Sequence, residues 1–332
     1  QYLDNANDTF LVTTPLSALN GFTWLRARFT SIQGIVASGG VADGEVEDYR
    51  VLVENQGNSQ IQDTPYYLAF EDSWPEQGDY DMNDVVILQN SSLLLTDSYE
   101  VKQIEFQGEV KALGASYHNG FAIQLDNILP TNVNPELVRF EINGVLQTSN
   151  VIEADTEFLV IKITEDLRSH IQLSQNCKYY KTEENCTNTS VMLFSVTVPF
   201  ITPIALDNFP QAPYNPFIFA QEATYHGDLF FHPGRALEIH LKNKAPTSKA
   251  DSSMFGVASD NTQPSAQLTY QTSNGMPWAL AINPGSNEAW RHPKERIDVI
   301  QAYPNFQIFV ETNGNKQSSW FSQENANSDK LY

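Results

Sequence analysis

Basic residues and cysteines are both scarce in this chain. Its 332 residues carry 19 Lys and Arg against 40 Asp and Glu, a formal net charge of −21. A surplus of that size repels nucleic acid and anionic membrane surfaces, so neither is expected as a partner. Long apolar runs are missing too, and none reaches the roughly 18–20 residues that a membrane helix needs. The nearest, residues 191–206, is interrupted by Pro199 and Pro203 and reads as strand and turn, so no direct membrane insertion is expected. The chain opens on Gln1-Tyr2-Leu3-Asp4 without an initiator Met or a signal peptide, which reads as a mature or trimmed fragment of something longer. Its only cysteines, Cys177 and Cys186, lie in the polar stretch NCKYYKTEENC. Two cysteines closing a short loop in an acidic, β-rich chain predict a disulfide and an oxidising compartment; a zinc site would lack its other ligands.

What the chain has in abundance is strand signal. Ile104, Phe106, Val110 and Ala112 alternate with Gln103, Glu105, Gln107, Glu109 and Lys111, the pattern of a half-buried antiparallel strand. Phe121, Ile123 and Leu125 repeat it, as do Val138, Phe140 and Ile142, then Leu159, Ile161 and Ile163. Clusters of Gly, Pro, Asn and Asp separate these runs. The expected fold is all-β, an antiparallel β-sandwich or jelly roll with long loops and one or two short helices. Helical spacing occurs near the end, at Ile297, Ile300, Tyr303 and Phe306, where Pro304 would break or restart a helix. The polar stretch ENQGNSQIQDT suggests a linker over residues 55–64, between a small piece at 1–54 and a large domain at 65–332.

The segment FEDSWPEQGDYDMNDVVI, residues 70–87, compresses carboxylates and one Asn between two apolar runs. Asp79, Asp81, Asn83 and Asp84 place oxygen-bearing side chains at alternating positions and double one at the end, which suits a hard cation such as Ca²⁺ with its six to eight oxygen ligands. Glu71 and Asp72 complete the set if the Trp74-Pro75 turn folds back; otherwise they are a strand-end pair making turn hydrogen bonds. An acidic stretch of this kind is ordinarily a solvated turn. Flanking strands that hold these acids together, at roughly 1 kcal/mol or more of repulsion per close pair, argue for the cation.

Two family resemblances rest on quoted residues. Trp24-Leu25-Arg26-Ala27-Arg28-Phe29 and Asp43-Gly44-Glu45-Val46-Glu47-Asp48-Tyr49-Arg50-Val51 resemble the closing strands of a GEVED domain, a β-sandwich module of bacterial secreted and surface proteins. The match covers residues 1–54 and implies that the module's earlier strands are missing or come from elsewhere. Residues 65–332 resemble the LruC domain of bacterial outer-membrane and secreted proteins. That likeness is carried by FEDSWPEQGDYDMNDVVI, by ALGASYHNGF at 112–121, by SNGMPWAL at 273–280 and by HPKE at 292–295 through Asp298 to Ala302-Tyr303-Pro304. It implies a β-rich fold at the cell surface or outside the cell. The Asp-x-Asp-x-Asn-Asp element is also similar to one in calcium-binding bacterial adhesin modules, and by that likeness Asp79, Asp81 and Asp84 would be ligands. The loop at 251–264 is less acidic around Asp260 and Asn261 than the family leads one to expect, which argues against a further ion there.

Other residues offer weaker candidate sites. Asp43, Glu45, Glu47 and Asp48 are a candidate second metal cluster, against the plainer reading of a charged edge that discourages aggregation. His118 and Asn119 in a glycine-bounded loop read as turn hydrogen bonds rather than as a base, because no nucleophile accompanies them. His226, Asp228, His232 and His240 are too dispersed for a metal site. Paired acids could serve a glycosidase, but clustered acids call for a cation, and the chain is read as non-enzymatic. Trp290 and Trp320, in polar surroundings, are the candidate surface aromatics for ligand binding, whereas Trp278 reads as core. The expected function is that of a calcium-stabilised module of a secreted or cell-surface bacterial protein serving adhesion or surface assembly. The alternatives are a Ca²⁺-assisted carbohydrate- or peptide-binding module and a filament subunit that exchanges strands. The corresponding partners are a surface glycan, a peptide or a neighbouring subunit.

Overall fold

The alternating sequence runs become strands in a computed structural model of the chain, which describes residues 21–32, 40, 43–53, 60–184, 186–285 and 289–332. The strands are Gly21–Phe29 (β1), Glu45–Val53 (β2), Gln60–Gln62 (β3), Tyr66–Phe70 (β4), Val85–Leu95 (β5), Glu100–Ala112 (β6), Asn119–Leu125 (β7), Arg139–Ile142 (β8), Val145–Leu146 (β9), Ile152–Glu153 (β10), Leu159–Thr164 (β11), Leu193–Ala205 (β12), Asn215–Ala220 (β13), Glu238–His240 (β14) and Ala279–Ile282 (β15). They form three antiparallel sheets. β1 pairs with β2; a five-stranded sheet runs β10-β11-β7-β13-β14; an eight-stranded sheet runs β15-β4-β5-β6-β12-β8-β9, with β3 added on β5. The two large sheets enclose the main core, to which Leu68, Ile87, Val110 and Val196 come from one side and Phe121, Ile123, Ile161 and Ile218 from the other. The expected all-β sandwich is the architecture found.

β6 keeps the predicted alternation, burying Ile104, Phe106, Val110 and Ala112. β7 does not, because it is buried on both faces. The face of β7 turned away from the core is covered by Phe217, Phe219 and Val160 around Ala122. The guanidinium of Arg235 lies 4.9 Å from the ring centroids of both Phe217 and Phe219 and pairs with Glu153 at 2.9 Å.

A second core forms where the C-terminal segment packs on β4, β5 and β15, through Tyr67, Val86, Leu280, Val299, Tyr303, Phe306 and Trp320. The two helices lie in this segment, α1 (Val299–Ala302) and α2 (Asn305–Glu311), on either side of Tyr303 and Pro304 as the proline predicted. Among the described residues no helix is long and apolar enough to cross a membrane.

Two expectations are corrected and one is met. Gln60–Gln62, inside the predicted linker, pairs with Ser92–Leu94 of β5 as β3, because Ile61 packs against the main core; residues 54–59 lie outside the described ones. Trp290 and Trp320 are 4 % and 3 % exposed, so they are not surface aromatics. Their indoles pack on Tyr303, at 6.3 and 5.4 Å between centroids, and the polar residues beside them in sequence had concealed this. The predicted disulfide Cys177–Cys186 is formed, with a Cα separation of 5.4 Å.

Candidate metal centre

The loop from β4 to β5, residues 71–84, is pinned by aromatic side chains. Trp74 is buried against Phe255 and Tyr270, at 5.3 and 5.4 Å between ring centroids, and the indole N–H of Trp278 donates to Glu76 O at 2.8 Å. Between these anchors the backbone takes positive φ at every second residue: Gly78 (67°), Tyr80 (54°) and Met82 (52°). A side chain in that region costs about 1–2 kcal/mol, and Tyr80 and Met82 offset it by burying themselves in the second core. The intervening Asp79 and Asp81 turn towards Glu71. One carboxylate oxygen from each of Glu71, Asp79 and Asp81 lies within 4.8 Å of the other two.

Glu71 is fully buried. Its Oε1 accepts the Met82 N–H at 2.6 Å, and its Oε2 has no hydrogen-bond partner. A buried carboxylate oxygen left without a partner is rare in folded proteins because its desolvation is not repaid. Burial pushes the Glu71 carboxyl well above the usual range, and the charge of Asp81 pushes it further. Asp81 is pushed up to about 8, first by burial and then by Asp79. The cluster therefore resists carrying its full negative charge without a cation among its oxygens.

Asp72 and Asp84 form an adjoining pair rather than part of this group. Asp84 Oδ2 accepts the Asp72 N–H at 2.8 Å, and Asp72 Oδ2 accepts from Asn119 Nδ2 at 2.6 Å. His226 Nε2 donates to Asp72 O at 2.9 Å. Burial raises the carboxyls of both acids, and for Asp84 the charge of Asp72 adds to it. Asn83 donates from Nδ2 to Pro293 O at 3.2 Å, and its Oδ1 rests against Gly114, where a β-carbon would lie only 1.8 Å away.

The C-terminal segment supplies contacts that sequence reasoning missed. Arg296 N donates to Asp81 Oδ2 and Val299 N to Tyr80 O, each at 2.7 Å. Glu295 is raised to about 6 by burial, with Asp79 adding to the shift, while its Oε2 accepts from Thr182 in the disulfide loop at 3.1 Å. Backbone donors have no side-chain signature; the only available signal was the HPKE stretch itself, which nothing linked to the acidic loop.

The candidate second cluster in the β1–β2 hairpin is not brought together; the group of Glu71, Asp79 and Asp81 alone meets that condition among the described residues. Asp43 accepts from Thr30 and Ser31, Asp48 pairs with Arg26 at 2.6 Å, Glu47 accepts from Tyr49, and Glu45 is exposed. This correction follows from antiparallel register, which sets Arg26 opposite Asp48. Asp260 accepts from Gly256 N and Thr262 Oγ1, both at 2.9 Å, and serves its own turn. His118 bonds to Asp166 at 2.9 Å, and His240 is buried between Asn215 and Glu238.

With this geometry in view, a family model described as a domain of unknown function, DUF4842, matches residues 99–321. The chain belongs to this family. The DUF4842 match takes in β6 to β15 and the segment that supplies Arg296, and the acidic loop lies before it. No curated protein is significantly similar in sequence. The fold is similar to that of a solved protein from Bacteroides ovatus provisionally named a lipoprotein, with a TM-score of 0.59 and 17 % identity over 94 % of this chain and 93 % of that one. At that identity the likeness concerns the fold.

Proposed function

We propose that this DUF4842 protein is a non-enzymatic, calcium-stabilised β-sandwich module of a secreted or cell-surface bacterial protein, serving adhesion or surface assembly. The observation that carries the reading is the fully buried Glu71, whose Oε2 has no hydrogen-bond partner and one of whose oxygens lies within 4.8 Å of oxygens of Asp79 and Asp81. The donor set is oxygen only, which suits a hard cation and not a soft one. Glu71, Asp79 and Asp81 would hold the ion, and its charge would supply what their mutual repulsion lacks. Because Asp81 also receives Arg296 N, the ion fastens the acidic loop to the C-terminal segment. Its role in this reading is structural.

Residues 65–332 are taken as an LruC-like domain and residues 1–54 as GEVED-like closing strands, a finer assignment supported by the motifs quoted above. The name of the Bacteroides ovatus protein supports the surface location. The exposed Trp24, Phe29 and Tyr49 of the hairpin favour a second reading, assembly with a neighbouring subunit through that hairpin. Thermal unfolding tests the first: the melting temperature should fall in EGTA and recover with Ca²⁺. An unchanged melting temperature refutes it.

A further inference from the structure

A separate cavity of about 450 Å³ opens between the disulfide loop, the loop joining β6 to β7, and the turn Leu167–His170 that follows β11. Its volume falls within the range of small-molecule sites. Ile171 and Leu173, both half-buried, give it an apolar wall, and His118, Arg168, Ser169 and Gln172 line it with polar groups.

Among the lining residues Arg168 is the cation and Asp166 the acid. Arg168 spends Nη1 on Ala115 O at 2.8 Å, and its remaining guanidinium N–H groups have no partner among the described residues. Asp166 is already engaged: it accepts from His118 Nδ1 at 2.9 Å and from Arg168 N at 3.0 Å. With Nδ1 engaged by Asp166, the His118 ring keeps Nε2 for a ligand hydroxyl.

We infer that this cavity binds an acidic sugar unit. Its carboxylate would pair with Arg168, a guanidinium being suited to that partner. Its hydroxyls would meet His118, Ser169 and Gln172, and its less polar ring face would lie on Ile171 and Leu173. The site shares no residue with the candidate metal centre and goes beyond the function proposed above.

The test is calorimetric titration of the full chain in Ca²⁺ buffer with D-glucuronate, D-glucose and N-acetylaspartate. Glucuronate should bind at least about tenfold more tightly than glucose, the fold-change expected from one charge-assisted contact. Arg168→Gln should remove that margin. Because Arg168 also holds Ala115, Gln172→Trp, which fills the exposed rim, is the second variant and should block glucuronate with the melting temperature unchanged. The proposal is overturned if glucuronate gives no heat, if glucose or N-acetylaspartate binds as well, or if Gln172→Trp binds like the parent.

Discussion

The backbone N–H of Arg296 donates to Asp81 Oδ2 at 2.7 Å, joining residues 215 positions apart in the chain. The acidic loop and the C-terminal segment are thus one unit. A cation held by Asp81 would act on the second core as well as on the loop.

Asp81→Asn separates charge from shape. Its amide oxygen can still accept from Arg296 N, while the buried repulsion with Glu71 and Asp79 is reduced. In EGTA the variant should be at least as stable as the parent. In Ca²⁺ at about a hundred times the dissociation constant the parent should gain roughly 2.7 kcal/mol and the variant little of it. Differential scanning calorimetry of both proteins in both buffers reads this out; an equal Ca²⁺ response would remove Asp81 from the ligand set.

Gly78 is required twice over. Its φ is 67°, and a β-carbon there would lie 2.6 Å from Glu71 Oε2. Gly78→Ala should cost about 1–2 kcal/mol from the backbone alone and weaken Ca²⁺ binding by displacing Glu71. Urea unfolding with and without Ca²⁺ separates the two effects. A variant with unchanged Ca²⁺ affinity would mean that Glu71 Oε2 is not a ligand.

The disulfide loop is a platform for the C-terminal segment. Thr182 bonds Glu295, Lys181 O accepts from His292 Nε2 at 2.7 Å, and Tyr332 OH donates to Cys186 O at 3.4 Å. Replacing both Cys177 and Cys186 with Ser should cost about 2–4 kcal/mol. Hydrogen exchange should quicken first in residues 291–299, next to the candidate metal centre. Exchange confined to the loop would show that the platform is not needed.

His292 gives the stability a pH dependence. It is buried, and its pKa is lowered to about 4, first by burial and then by the charges of Arg291, Lys181 and Lys111. The folded chain keeps the ring neutral while the unfolded chain takes up its proton near pH 6.5. The contribution is therefore complete above 6.5 and is lost as pH falls towards 4, by roughly 3 kcal/mol. His292→Gln should flatten the stability profile in that window relative to the parent. Parallel profiles would contradict the assignment.

The sandwich was legible because antiparallel strands with one wet face print a two-residue period, as Ile104, Phe106 and Val110 do. β7 was half-legible: its inward face alternates, but its other face is covered by Phe217 and Phe219, which no local pattern announces. The acidic loop was legible as a cluster, because Asp79, Asp81 and Glu71 lie within one short segment. How its members divide was not. The likeness to adhesin modules put Asp84 with Asp79 and Asp81, whereas the fold engages Asp84 with the Asp72 N–H and brings Glu71 into the group. That choice depends on positive φ at Tyr80 and Met82, conformations that non-glycine residues do not advertise. Trp290 and Trp320 misled because polar neighbours in sequence say little about a segment that folds back on a sheet.

The central claim is tested most directly by elemental analysis of protein purified without chelator and dialysed against metal-free buffer, beside Asp81→Asn. The account predicts a calcium-to-protein ratio of about one in the parent, carried by an all-oxygen site, and a much lower ratio in the variant. A parent that holds no calcium and takes up none on titration would contradict it.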